Sequence, residues 1–130
     1  MAEVNETKTL VDFLLAAGGG LTTRIYGDTD VPASDYAPAV GPCICLTVRG
    51  GSEDDESDVV KECSFQFKIY GLDRPTARAE ARRLHAVLQN AKSYTIKNAR
   101  REQQPITLEE PENGWPFTLT FYSVMFNNVS

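Results

Sequence analysis

Two segments with strict alternation of apolar and polar residues, 43–49 and 64–70, constrain the fold of this chain most strongly. Each places three apolar side chains on one face: Ile44, Leu46 and Val48 in the first, Phe65, Phe67 and Ile69 in the second. A repeat of two residues is typical of β-strands with one buried face, and Cys45 and Tyr70 then fall on the opposite face. Glycines and an acidic run separate the segments, which predicts an antiparallel hairpin with a long charged tip at about residues 50–61.

Two further segments have the spacing of helices. Residues 6–17 carry an apolar stripe, with Asn5 as a candidate N-cap and glycines 18–20 as the stop. Asp73 and Pro75 begin a second predicted helix that extends to about residue 91. Spacings of four, three and four residues predict its buried face, which consists of Ala77, Ala81, Leu84 and Leu88.

The remaining segments predict strands and turns. Residues 22–26 form a short β-rich segment, and residues 27–42 contain three prolines, which predicts an irregular surface connection. A strand is expected at 93–98, and residues 106–109 either continue it or start another. A turn at 111–114 precedes the most strand-like segment, 117–126, which is either a central strand or one covered by another subunit. The sum predicts a single α+β domain over residues 1–130, a mostly antiparallel sheet of four to five strands with two helices on one face.

Composition excludes several classes of protein. Eighteen acidic and thirteen basic residues give a net charge of −5, which argues against a surface built to neutralise phosphates. No apolar run approaches the ~20 residues of a membrane span, and the polar, acidic start is unlike a signal peptide. We therefore expect a cytoplasmic protein, or one packed into a particle assembled there. Three cysteines, an odd number, favour reduced and partly buried thiols over a disulfide framework.

No catalytic, cofactor or metal site is predicted. His85 is the only histidine, and its position predicts a residue at the boundary of the buried helix face. Zinc would require Cys43, Cys45, Cys63 and His85 to converge, but a C-x-C pair in a strand lacks the usual ligand spacing. The acidic run lacks the alternation and glycine of a calcium loop, and glycines 18–20 lack the residues of a phosphate loop.

Six residues are candidates for contact with another subunit or partner: Arg78, Arg82, Arg100, Arg101, Trp115 and Phe126. Arginine clusters are usually a solvated face, but in a self-assembling protein they could meet the acidic run of a neighbour. Trp115 stands between Gly114 and Pro116, where it is either a lid over the core or an interface anchor. Phe126 ends a segment that is apolar on both faces.

The order and residue character of these segments resemble the tail-terminator, or tail-completion, family of long-tailed bacteriophages, over residues 10–127. The resemblance rests on the first helix ending in glycines, residues 23–27 (TRIYG), the strand at 42–49, residues 65–71 (FQFKIYG) and the alanine- and arginine-rich helix 76–88. Its most specific part is 109–117 (EEPENGWPF), which runs into the last strand. The resemblance does not extend to the acidic run.

The resemblance implies a non-enzymatic virion protein that forms a ring, typically of six subunits. Such a ring caps the tail tube, stops its polymerisation and then joins the head connector, so the expected partners are the chain itself, the tail tube protein and the head–tail connector protein. DNA would pass through without specific binding, and assembly would occur in the host cytoplasm. We expect five acidic residues to face the lumen or rim: Glu53, Asp54, Asp55, Glu56 and Asp58.

Three alternatives remain open from the sequence. The first is a head–tail adaptor in the neck of the same particle. The second, from a different class, is a monomeric α+β domain that binds a small ligand or acts as an enzyme. The third is an unrelated cytoplasmic adaptor that adds a partner strand to its sheet edge.

Overall fold

The computed structural model describes residues 6–17, 20–29, 31–52, 60–89, 91–92 and 96–127, which form two helices and six strands. The helices are α1 (Glu6–Ala17) and α2 (Arg74–Gln89). The strands are β1 (Ile25–Gly27), β2 (Cys43–Ser52), β3 (Val60–Tyr70), β4 (Ile96–Arg101), β5 (Ile106–Glu109) and β6 (Pro116–Asn127). The first helix has the predicted bounds, whereas its candidate N-cap Asn5 and glycines 18 and 19 lie outside the described residues.

The strands form one open, mostly antiparallel sheet in the order β1-β2-β3-β6-β4. Only β1 pairs in parallel, with β2, among the described strand pairs. Strands β4 and β5 lie one after the other along the same edge of β6, which β4 pairs at residues 122–126 and β5 at 116–119. The sheet therefore has six strands instead of the predicted four to five, and β6 is a central strand.

The pairing register of the β2–β3 hairpin aligns the apolar faces of the two strands. Ile44 pairs with Ile69, and Leu46 pairs with Phe67, so the predicted apolar faces of both strands coincide. Both strands extend further towards the tip than predicted, to Ser52 in β2 and from Val60 in β3. The acidic run at 53–58 lies outside the described residues.

The main core lies between the helices and one face of the sheet. Both helices contribute to the same buried cluster, α1 with Leu10 and Leu14 and α2 with Ala81, Leu84 and Leu88. The sheet contributes aliphatic and aromatic side chains of its central strands: Ile44, Leu46, Phe65, Phe67, Ile69, Tyr122, Val124 and Phe126. The predicted buried stripe of α2 is confirmed, since Ala77, Ala81, Leu84 and Leu88 are all buried.

A second, smaller cluster lies on the opposite face of the sheet, near the C-terminal end of β3. It contains Tyr36, Cys43, Cys45, Tyr70 and Phe117. Cys45 and Tyr70 do point away from the helices, as predicted, but they are buried because the connection at 27–42 folds back over them. Tyr36 in that connection donates a hydrogen bond from its hydroxyl to the carbonyl of Gly41 (2.6 Å). All three cysteines are buried thiols.

Polar contacts fix both the start and the position of α2. Asp73 caps the helix, because its Oδ1 accepts hydrogen bonds from the Thr76 amide (2.8 Å) and hydroxyl (2.6 Å). Glu80 is buried with a 1% exposed fraction and accepts hydrogen bonds from the Thr22 amide (2.7 Å) and from Arg83 (2.8 Å). The bond from Thr22 ties α2 to the segment that leads into β1.

Candidate functional site

A cleft of about 370 Å³ lies between α2 and the part of the sheet formed by β4, β5 and β6. We call it the arginine cleft. Its walls are built from one side of α2 and from the residues that face that side: Arg78, Ala81, Arg82, His85, Ala86, Gln89, Arg101, Pro105, Thr107 and Thr118. Three guanidinium groups, an imidazole and two threonine hydroxyls thus surround a space with an apolar portion formed by alanines and proline.

Helical spacing explains why α2 supplies four polar side chains to the cleft. Arg78, Arg82, His85 and Gln89 follow the same four-three-four spacing as the buried stripe and stand one residue further along the chain. The polar stripe therefore runs beside the apolar one, directly at the edge of the core. The sequence analysis placed both arginines away from the buried face and His85 at the edge of that face, as observed, but it did not predict a cleft.

A bulge in β4 decides which arginine reaches the cleft from the sheet. The pairing of β4 with β6 shifts by one residue between Ile96 and Asn98. After the shift, Arg101 pairs with Tyr122 on the helix side, whereas Arg100 pairs with Ser123 on the opposite side. Because a one-residue shift exchanges the faces of every following side chain, the bulge directs Arg101 into the cleft.

His85 is held against the sheet by Tyr122. Its Nδ1 lies 2.7 Å from the Tyr122 hydroxyl, within hydrogen-bond distance. Burial lowers the pKa of His85, and the nearby charge of Arg101 lowers it further. Burial also raises the pKa of Tyr122 to about 12, although Arg101 acts in the opposite direction. At neutral pH the imidazole and the phenol are both uncharged, so the positive charge of the cleft comes from its arginines.

The charge of the arginine cleft is not balanced locally. No carboxylate belongs to the residues that line it, and Arg78, Arg82 and Arg101 have no ion pair with any residue that the structure describes. Some other cations of the described residues do have such partners: Arg83 binds Glu80, Arg74 binds Glu109 and Lys68 binds Glu110. The cleft is therefore a local cationic surface on a protein of net charge −5.

The structure separates the six predicted interface residues into different environments. Arg78, Arg82 and Arg101 meet in the arginine cleft. Arg100 lies on the other face of the sheet, beside Glu62 and Ser123 in a second cleft of about 320 Å³. Phe126 has a 0% exposed fraction in the main core, so its side chain is not available to a partner, and its apolar character is explained by packing within the subunit.

Trp115 covers the second cluster. Its ring makes edge-on contacts with Tyr36, at 5.7 Å between centroids, and with Tyr70, at 6.4 Å. It is half-buried, and its amide donates a hydrogen bond to the Asn113 side chain (2.9 Å) in the predicted turn. Trp115 was predicted to be either a lid over the core or an interface anchor. Within the subunit it lies as a lid over the second cluster.

An exposed apolar strip on β5 was not predicted as a site. Ile106 and Leu108 have exposed fractions of 51% and 42%. Ile106 pairs with Leu119 and Leu108 with Phe117, so both side chains lie on the face of the sheet that carries the second cluster. We call Ile106, Leu108 and Leu119 the apolar strip. The signal was present in the sequence as an alternating pair in a short strand, but its exposure depends on β5 being an edge strand.

The described residues contain no cluster of three or more histidine, cysteine or acidic side chains that could hold a metal ion. Within the same ranges, no helix combines the length and apolar character that crossing a membrane requires. Neither a protein-family model nor a curated protein matches this chain.

Proposed function

We propose that this chain is a subunit of a ring that caps a bacteriophage tail tube, ends its polymerisation and joins the tail to the head connector. The proposal starts from the resemblance of residues 10–127 to the tail-terminator family. The function requires surfaces for assembly and no reacting groups. The two surface features that stand out in the described residues, the apolar strip and the arginine cleft, are both suited to binding another chain.

The observation that carries the proposal is the apolar strip on an edge strand. In the described sheet, β5 hydrogen-bonds only to β6, so its outer edge offers backbone donors and acceptors. The exposed side chains of Ile106 and Leu108 stand directly beside this edge. Exposed apolar side chains next to an unpaired strand edge are a typical site of association between chains. A closed ring would cover every such edge, because rotation joins two different surfaces of each subunit.

The proposed mechanism consists of binding and assembly steps. Subunits add to the last ring of tube protein and offer no further surface like that of the tube, so polymerisation stops. The opposite face of the new ring then binds the head connector. DNA passes through the lumen without specific binding, consistent with an acidic chain.

The test combines solution mass with a tube-capping assay. We expect light scattering and negative-stain images of the purified protein to reveal rings of about six subunits, and the protein to bind tube tips and limit tube length. Ile106→Glu/Leu108→Glu should prevent both, because it places charges in the apolar contact. Val31→Glu/Leu72→Glu is the matched control, since Val31 and Leu72 are exposed apolar residues outside the strip. A protein that stays monomeric and neither binds tube tips nor changes tube length contradicts the proposal.

The first alternative is a head–tail adaptor in the neck of the same particle. A head–tail adaptor would bind DNA-filled heads before any tail is present, whereas a terminator would be found on finished tails lacking heads. Fractionating assembly intermediates and probing for this chain distinguishes the two.

A monomeric domain that binds a small anion is the second candidate function, from a different class. The arginine cleft favours it, because three arginines and two threonine hydroxyls line one cavity without a carboxylate among the described lining residues. A phosphate or carboxylate compound retained through purification, together with a monomeric mass, would support this candidate over the ring.

A further inference from the structure

The arginine side chains of the cleft are accessible from outside the subunit. Arg78 and Arg82 are exposed and stand one helical turn apart, and Arg101 is half-buried. A site that holds a small anion tightly usually encloses it, whereas these guanidinium forks remain open to solvent. Open forks beside an apolar surface fit carboxylates presented by an extended chain, which arginine binds through two parallel hydrogen bonds.

The chain itself carries such a ligand. Residues 53–58 contain five acidic residues, Glu53, Asp54, Asp55, Glu56 and Asp58, in six positions. This run joins β2 to β3, and nothing in the tail-terminator resemblance accounts for it. A cationic cleft without described counter-charges and a concentrated anionic segment on one chain are complementary in charge.

Arg78 and Arg82 of the cleft lie far from the end of the hairpin that the acidic run connects. Thr118 in the cleft pairs with Ile69, which lies about 30 Å along β3 from Val60 at about 3.3 Å per residue. Arg78 lies at the same distant end, since the neighbouring Ala77 backbone is packed against Gly71 after β3. A chain as short as residues 53–59, which has to leave β2 and return to β3, can extend at most about 14 Å beyond the hairpin. A contact of the acidic run with Arg78 and Arg82 therefore requires two subunits, whereas Arg101 pairs with Tyr122 opposite Phe65, about 16 Å along β3 from Val60.

We propose that the arginine cleft of one subunit binds the acidic run of a second copy of this chain. Arg78, Arg82 and Arg101 supply the cations, and the acidic residues of the neighbour supply the carboxylates. The contact joins two different surfaces, as a ring requires, and its role in assembly rests on the ring proposed above.

Charge exchange between two variants tests the contact. The cleft variant is Arg78→Glu/Arg82→Glu, and the acid variant is Glu53→Lys/Asp55→Lys/Asp58→Lys. Each alone should raise the dissociation constant of self-association by at least about tenfold, because charge-assisted hydrogen bonds become repulsions. An equimolar mixture should return to within about threefold of the wild-type value, since each variant then restores the other's opposite charge. Light scattering across a concentration series measures the dissociation constants of the cleft variant, the acid variant and their mixture.

A second charge reversal is the matched control. Lys92→Glu/Lys97→Glu changes the net charge equally but alters exposed residues outside the cleft, so its self-association should match that of the wild type. Self-association of the cleft variant at the wild-type concentration overturns the inference. So does a mixture that fails to recover.

A labelled peptide of residues 50–61, titrated into full-length protein by fluorescence anisotropy, separates this inference from the proposed function. We expect the peptide to bind the wild type and the control, and to lose at least about tenfold in affinity for the cleft variant. Rings that form normally without peptide binding overturn the inference alone. Peptide binding by a protein that never forms rings or binds tube tips overturns the ring alone. Inorganic phosphate or duplex DNA that binds the cleft in place of the peptide assigns it to a small anion or to nucleic acid instead.

Discussion

At the scale of single residues, His85 makes the stability of the fold depend on pH. In the folded chain its imidazole is held against Tyr122 and near Arg101, and burial, followed by the charge of Arg101, lowers its pKa. In the unfolded chain its pKa returns to about 6.5. The unfolded state therefore binds a proton that the folded state does not bind, and this term destabilises the fold as the pH falls below about 6.5.

We expect His85→Gln to remove this pH dependence. Urea unfolding of the wild type between pH 8 and pH 5 should give a free energy of unfolding that decreases towards pH 5, and the variant should decrease less. The comparison is clean because the chain has no other histidine. Carboxylates contribute at lower pH, since hydrogen bonding by Lys68 lowers the pKa of Glu110 and bonding by Thr76 lowers that of Asp73. An unchanged slope in the variant contradicts the assignment.

At the scale of secondary-structure elements, Gly71 controls how closely α2 follows β3. A Cβ atom at this position would lie 2.6 Å from the Ala77 amide nitrogen and 3.0 Å from its Cα, both parts of the helix backbone. The Gly71 amide also donates to the carbonyl of Pro116 at the start of β6 (3.3 Å). Any side chain here has to push the first turn of α2 away from the sheet.

We expect Gly71→Ala to lower the free energy of unfolding by about 2 kcal/mol, the usual cost of forcing extra atoms into a packed site. Gly114→Asn is the matched control: Gly114 has φ of 71° with no atom near an added Cβ, and asparagine tolerates that conformation. Its stability should stay within about 0.5 kcal/mol of the wild type. Equal losses in both variants would show that the approach of α2 is not the limiting contact.

Local sequence patterns predicted the helices and strands better than they predicted how the strands pair. Residues 6–17 and the start of α2 could be predicted because their stripes, glycines and capping Asp73 act within one or two turns. The sequence left open whether residues 106–109 continue the preceding strand or start another, because the answer depends on how both strands share one edge of β6. The same limit applies to the site: Arg78 and Arg82 follow from helical spacing, whereas Arg101 reaches the cleft only through the β4 bulge.

At the scale of the whole molecule, the proposed association would depend on where charge and apolar surface lie in the fold. A ring of six subunits would carry a formal charge of −30, six times −5. That charge opposes closure unless each contact brings opposite charges together or buries apolar surface. The arginine cleft offers the first kind of contact and the apolar strip the second, and they lie on different faces of the sheet.

The salt concentration distinguishes the contribution of the arginine cleft from that of the apolar strip. The screening length falls from about 10 Å at 0.1 M to about 3 Å at 1 M salt, which weakens charge contacts and leaves apolar burial in place. We therefore expect the loss of self-association caused by Arg78→Gln/Arg82→Gln to shrink several-fold between 0.1 M and 1 M sodium chloride. The loss caused by Ile106→Ser/Leu108→Ser should persist over the same range. Sedimentation at both salt concentrations measures the two differences against the wild type, which cancels the general repulsion between acidic subunits. If the arginine effect were independent of salt, these side chains would act through packing, and the acidic run of a neighbour would not be their partner.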